Sequence, residues 1–358
     1  MKILFAACIF FCLTTISPAA EQATAVYDGT VLSEDVTWRG SILVRGFVVV
    51  APQATLRIEP GTVVRFASSA AQQLPNLVVQ GRLHAVGTSD LPIILTSDRS
   101  TPVRGSWGGI VLLSTEKRNL LELCRIEYAE TGIDVRFSTV TLKGVSLVQA
   151  RTALLSHDGV VQMTGSAVSD SETGIELYNT EFDGRDTTVS TCQRGCLLSK
   201  SAVVLAAPKI MNNLQTGLEA DECRIRITGG EFSGNALGAR IKGGEGQIVM
   251  SRFFQNRQTA LHLSDSNIKI QRCLFAENRQ DALRVEDGQA LLLNNAFTSN
   301  SGFNLYNAGH EVVSARQNWW GTTDQPLIGQ KIHDAALDEN IGTVNVFPWL
   351  DEKPLLVP

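Results

Sequence analysis

Two groups of side chains in the second half of this chain are of types that do chemistry on a polymer. One is acidic, with Glu176, Glu219 and Asp221 accompanied by Tyr178. The other is mixed, with Arg240, Lys242, His262 and Arg284. Paired carboxylates can act as general acid and base on a glycosidic bond, or hold Ca²⁺ against an acidic sugar, and an arginine can stabilise charge on a uronate. The competing reading is a solvated strand face, where ionic residues of both signs on neighbouring strands keep a sheet soluble without any ligand. No phosphate-cradling glycine loop, zinc-type His/Cys cluster or nucleophile elbow occurs in the sequence. Asp183 with Asp186, and His157-Asp158-Gly159, read as isolated turns, while His84, His310 and His333 lie far apart along the chain.

What places those groups on one surface is a repeat. A small or turn residue recurs at Gly132, Ala153, Gly174, Gly195, Gly217, Gly238, Ala260, Ala282 and Asn304, at intervals of 21 or 22 residues. Six or seven residues upstream of each runs an apolar column: Ile126, Leu147, Val168, Val189, Ile210, Phe232, Phe254, Phe275 and Phe297. Segments such as Gly174-Ile175-Glu176-Leu177-Tyr178 and Ala260-Leu261-His262-Leu263 alternate with period two, which reads as strand. The helical half of a leucine-rich repeat is missing. Three short strands per repeat, stacked ~4.8 Å apart, give an all-β fold, a single parallel β-helix. Asn213, Asn235, Asn256, Asn278 and Asn300 form a third column, expected to ladder along the axis and to take the left-handed backbone conformation of a sharp corner. The phenylalanine column is expected to stack inside the core.

On the strand after each small residue, Ile133, Leu154, Ile175, Cys196, Leu218, Ala239, Leu261, Leu283 and Leu305 then point inward. Their neighbours make two solvent columns: Asp134, Leu155, Glu176, Leu197, Glu219, Arg240, His262, Arg284 and Tyr306, and beside it Arg136, His157, Tyr178, Ser199, Asp221, Lys242, Ser264 and Glu286. The two chemical groups fall on these columns. His157 and His262 share the face but sit five coils apart, ~24 Å, too far to act together.

Residues 40–115 have the same character in looser form, with Pro60-Gly61 and Gly87-Thr88 as turns. The run Ala54 to Phe66, then Leu77 to Thr88, Pro92-Ile93-Ile94-Leu95-Thr96-Ser97, Trp107-Gly108-Gly109-Ile110 and Ile126-Glu127-Tyr128-Ala129, resembles the bacterial exported right-handed β-helix proteins of the pectin-lyase-like superfamily. Asn318-Trp319-Trp320-Gly321 and the segment Val344 to Leu350 are similar to the closing part of that group. The resemblance implies a flat strand face on which relatives bind polysaccharides. It also implies what an enzyme of the superfamily would carry: a clustered Asp set with Arg and Lys in calcium-using lyases, or Asn-Thr-Asp, Asp-Asp, Gly-His-Gly and Arg-Ile-Lys in hydrolases. Neither set is present in this sequence.

An open solenoid end exposes core and unpaired strand groups, so both ends need covers. The organisation expected is a signal peptide over 1–20, an N-terminal cap over 21–40, the β-helix over 41–311, and a C-terminal cap and tail over 312–358. Trp319 and Trp320 are expected to plug the last coil, the rival reading being a sugar-stacking platform.

Lys2, the apolar run Ile3–Ile16 and Ser17-Pro18-Ala19-Ala20 form the three parts of a signal peptide, which predicts a secreted, periplasmic or cell-surface protein. No segment has the ~20 apolar residues a membrane span needs. Removal of residues 1–20 leaves 30 basic against 36 acidic residues, a balance of −6 that argues against a nucleic-acid partner. Five cysteines remain, Cys124, Cys192, Cys196, Cys223 and Cys273, an odd number read as buried thiols, with a Cys192–Cys196 pair as the alternative. The expectation is a non-catalytic exported protein that contacts polysaccharide or another cell-envelope component through the strand face. No cofactor is expected, and Ca²⁺ enters only if the glycan is acidic. The alternatives are a carbohydrate-active enzyme (lyase, hydrolase or epimerase) and a structural or adhesion protein.

Overall fold

The computed structural model describes residues 24–67 and 74–355; the signal peptide expected over residues 1–20 lies outside them. The chain winds into about 13 coils of about 22 residues each, and the strands of the interior coils pair in parallel with their equivalents in the coils before and after. Three strand columns run the length of the solenoid. The first sheet holds the strands after the small residue, such as Thr173–Tyr178, Arg194–Ser199, Thr216–Asp221 and Leu237–Lys242. A second sheet follows with Glu181–Arg185, Ala202–Ala206, Arg224–Thr228 and Glu245–Val249. The third consists of three-residue strands such as Lys209–Met211 and Glu231–Ser233.

The period-two pattern sets which residues are inside. All nine residues expected to point inward from the first sheet, Ile133 through Leu305, are buried. On the third sheet the apolar column is buried too, with one correction. Phe232 pairs with Phe253, and Phe253 with Phe275, so Phe253 is the core member and Phe254 points outward. The rings of Phe232, Phe253, Phe275 and Phe297 stack at centroid distances of 4.6, 5.0 and 5.0 Å. Phe254 is half-buried beneath the Arg252 guanidinium, 5.0 Å from its ring. The slip arises because coils of both 21 and 22 residues occur, so two adjacent phenylalanines fit the spacing equally well.

Trp320 continues the stack, 4.8 Å from Phe297, and closes the core at the C-terminal end. Trp319 does not share that role: its backbone bridges to Ala296 while its side chain is half-exposed. Beyond it a short helix, Gln325–Gly329, starts on Asp324, whose carboxylate accepts from the Leu327 N–H.

The asparagine column is a ladder. Asn213, Asn235, Asn256 and Asn278 each donate from Nδ2 to Oδ1 of the next member at 2.9, 3.3, 3.0 and 2.9 Å, ending on Asn300. The left-handed residue at this corner is the one before each asparagine, namely Asn212, Gly234, Gln255, Glu277 and Ser299. The asparagines are wholly or almost wholly buried and serve by hydrogen bonding, not by backbone conformation. A second ladder the spacing did not suggest joins Asn295 to Asn318 at another corner.

Where this column holds glycine, the close approach of the next coil requires it. A Cβ on Gly217 would lie 2.5 Å from the Gly238 carbonyl oxygen and 2.9 Å from Asn235 Nδ2. The five cysteines are buried and unpaired, Cys192 and Cys196 included. Among the described residues no helix is long and apolar enough to cross a membrane.

Candidate functional site

Register carries the predicted residues onto the first sheet in strict order. Leu155, Glu176, Leu197, Glu219, Arg240, His262, Arg284 and Tyr306 are successive partners, and His157, Tyr178, Ser199, Asp221, Lys242, Ser264 and Glu286 form the column beside them. Two positions depart from the expected exposure. Asp134 is buried, because Arg136 two residues on folds back to hold its carboxylate with three hydrogen bonds of 2.6 to 3.1 Å. Ser264 is also buried.

The acidic group is divided. Tyr178 donates its hydroxyl to Glu176 at 2.6 Å, a bond that raises the tyrosine pKa, and its ring stacks on His157 at 4.7 Å. Glu219 and Asp221 lie two strands further on, beyond Leu197 and Ser199, ~9.6 Å away along the axis. Glu176 and Glu219 are therefore not a close carboxylate pair.

The mixed group is contiguous with Glu219 and Asp221. Arg240 directly neighbours Glu219, and Lys242 directly neighbours Asp221. Opposite charges in such in-register positions ordinarily meet. Here, among the described residues, none of the four takes part in an ion pair or a side-chain hydrogen bond, whereas the equivalent neighbours Arg224 and Glu245 on the second sheet do pair, at 3.2 Å. The next strand contributes His262, whose Nε2 lies 3.2 Å from the Glu286 carboxylate. Burial, helped by Arg240 and Arg284, holds the His262 pKa below the ordinary histidine value against the opposing pull of Glu286. The imidazole is therefore neutral at neutral pH.

Beyond His262 the face ends in a stack that sequence reading left incomplete. The Arg284 guanidinium sits 4.3 Å from the Tyr306 ring, and Tyr306 lies 4.0 Å from His333 with the planes 5° apart. His333 is the last rung of the column through its pairing with Tyr306. From Glu219 to His333 the face thus runs acid, base, neutral imidazole, base and aromatic in five strand spacings, ~24 Å. Such a surface can accept and donate hydrogen bonds to hydroxyls, meet carboxylates, and stack on a sugar ring. Among the described residues no group of three or more His, Cys, Asp or Glu side chains is arranged to hold a metal ion.

A second concavity lies on the second sheet, outside every residue expected to act. It is a groove of about 690 Å³ running from Val160 to Lys269. Its signal in the sequence is smallness, the pair Ala202 and Val204 between charged neighbours, and not any chemical motif.

Comparison with known proteins gives the architecture. A pectate-lyase-like β-helix domain matches residues 29–134 and a right-handed β-helix region matches residues 186–318. Among solved structures, the periplasmic alginate epimerase AlgG is 11% identical, with 87% of this chain and 74% of that chain covered and a TM-score of 0.36. The A-module of the Azotobacter vinelandii mannuronan C-5 epimerase AlgE6 is 10% identical over 92% of this chain and 89% of its own, with a TM-score of 0.33. Tailspike protein 3 of bacteriophage CBA120 is 12% identical over 91% of this chain and 56% of its own, at a TM-score of 0.36. The comparison with curated proteins gave no match. At these identities and TM-scores none of the solved structures assigns an activity to this chain.

Proposed function

We propose that this chain, a right-handed parallel β-helix protein of the pectin-lyase-like superfamily, is an exported, non-catalytic protein that binds polysaccharide along the outer face of its first sheet. The observation that carries the reading is the quartet Glu219, Asp221, Arg240 and Lys242, in-register neighbours of opposite sign whose charged groups are left unpaired. Neighbouring opposite charges ordinarily gain by pairing, as Arg224 and Glu245 do on the second sheet. Unpaired groups on a rigid sheet are pre-organised for an external partner, because their backbone is fixed on both sides by neighbouring strands.

The alternating types along the face suit a glycan with both hydroxyls and acidic groups: Arg240, Lys242 and Arg284 for carboxylates, Glu219 and Asp221 for hydroxyls, and Tyr306 with His333 for a ring face. Ca²⁺ has a place only as a bridge between Glu219, Asp221 and an anionic sugar. The leader pattern of residues 1–20 supports export. The catalytic reading is less well supported, because Glu176 stands two strands from Glu219 and Asp221.

A glycan array probed with the mature chain, with calcium and with chelator, tests the proposal. The variant Glu176→Ala/Glu219→Ala/Asp221→Ala is expected to lose binding of the acidic glycans. Turnover of a bound uronate polymer would overturn the non-catalytic reading, and the absence of any bound glycan would overturn the polysaccharide reading.

A further inference from the structure

The structure assigns a second carbohydrate site, on the second sheet, which takes a neutral, hydroxyl-rich oligosaccharide. It stands on different residues from the first-sheet face and does not depend on it. The groove forms because two successive outward positions on one strand, Ala202 and Val204, are short while their neighbours on both sides are long. Glu181 and Asp183 rise on one side of this floor and Arg224 and Arg226 on the other. The trough crosses six strands, from Val160 to Asn267, a span of ~24 Å. Its volume of about 690 Å³ falls within the range of ligand pockets, roughly 300–1,000 Å³. A further depression of about 400 Å³, reaching Lys200 and Asp158, shares Val160, Glu181 and Ala202 with it and carries the trough round the corner toward the first sheet.

The charge arrangement points to an uncharged ligand. The groove is lined by three carboxylates, Glu181, Asp183 and Glu245, and by three cations, Arg224, Arg226 and Lys269. Three of these six groups are held by partners: Arg224 bonds Glu245 at 3.2 Å, and Asp183 accepts from Arg185 through both oxygens at 3.0 and 2.9 Å. Groups fixed in this way retain free acceptor lone pairs and N–H donors at set positions, the geometry that vicinal hydroxyls satisfy. Gln247 and Asn267 add amides that donate and accept, and the Ala202–Val204 floor suits the C–H face of a sugar ring. An anionic chain would meet the walls of Glu181 and Asp183, and a cationic one those of Arg224 and Arg226.

The test is titration of the mature protein with four neutral hexasaccharides, cellohexaose, xylohexaose, mannohexaose and maltohexaose, by calorimetry. At least one is expected to bind. Val204→Trp, which fills the floor from an exposed position, and Gln247→Ala, which leaves the fold's contacts in place, are each expected to weaken that binding at least tenfold. The first-sheet variant Glu176→Ala/Glu219→Ala/Asp221→Ala is expected to leave it unchanged. Failure of all four hexasaccharides to bind overturns the inference, as does undiminished affinity in both groove variants or loss in the first-sheet variant. Each of these outcomes is separate from the first-sheet array result.

Discussion

Replacing Asn256 with alanine tests whether the ladder holds the corner that aligns the coils behind the binding face. The Asn256 side chain is fully buried and makes four hydrogen bonds. Its Oδ1 accepts from the Asn235 backbone N–H at 3.1 Å and from Asn235 Nδ2 at 3.3 Å. Its Nδ2 donates to the Phe232 carbonyl and to Asn278 Oδ1, both at 3.0 Å. Alanine leaves two donors of Asn235 without their acceptor in a buried corner. Each buried unsatisfied group costs about 1–3 kcal/mol, so the loss is about 2–6 kcal/mol. Because a solenoid's coils contact only their neighbours, the damage is local before it is global. The assay is urea denaturation combined with hydrogen exchange at the Asn235 amide, which should exchange much faster in Asn256→Ala than in the wild type. A destabilisation under about 1 kcal/mol, with Asn235 still protected, would refute the view that the ladder carries this corner.

Two further predictions separate core from surface and thiol from thiolate. Phe253→Ala removes a ring from the middle of the stack and should cost about 3–5 kcal/mol, whereas Phe254→Ala loses mainly its contact with Arg252, about 1 kcal/mol; equal melting temperatures for the two variants would contradict the register. Burial raises the thiol pKa from 9.0 to about 12 at Cys124 and Cys273 and to about 11 at Cys192. Above pH 9.0 the unfolded chain therefore releases thiol protons that the folded chain keeps, so stability present below that pH falls as pH rises towards 11–12. Thermal melts across this window should show the decline, and Cys124→Ala/Cys273→Ala should flatten it; an unchanged slope would show that other groups set the alkaline limit. In the native protein none of the five thiols should take up iodoacetamide, and all should do so after denaturation.

The fold is legible in this sequence because its signal is repeated. Columns such as Gly174, Gly195, Gly217 and Gly238 return at nearly constant intervals, and each interval restates the same strand pattern. Local readings fail where a single residue decides. Phe253 and Phe254 differ by one position, which is the difference between a 21-residue and a 22-residue coil. Left-handed corners are equally hidden, since Phe137, Lys200, Met250 and Arg272 occupy them without any turn chemistry in their side chains. Strand pairing on both sides imposes that conformation on them.

The candidate site divides in the same way. Which residues share the face follows from period two and the repeat, so Glu219, Asp221, Arg240 and Lys242 are placed together by sequence alone. Whether neighbouring charges pair depends on rotamers that no spacing encodes, as Glu219 beside Arg240 and Glu245 beside Arg224 demonstrate. The burial of Asp134 likewise depends on Arg136 turning back along its own strand. The groove over Ala202 and Val204 escapes a search for chemistry because its defining residues have none.

Hydroxyl-radical footprinting of residues 21–358, with and without the glycan selected on the array, tests the central claim most directly. Tyr178, His262 and Tyr306 lie along the first-sheet face and carry oxidisable rings, so the proposed binding predicts that all three are protected together while Phe347 at the C-terminal end is modified as before. Unchanged oxidation of these three rings under a saturating glycan would contradict it and move the binding surface elsewhere on the solenoid.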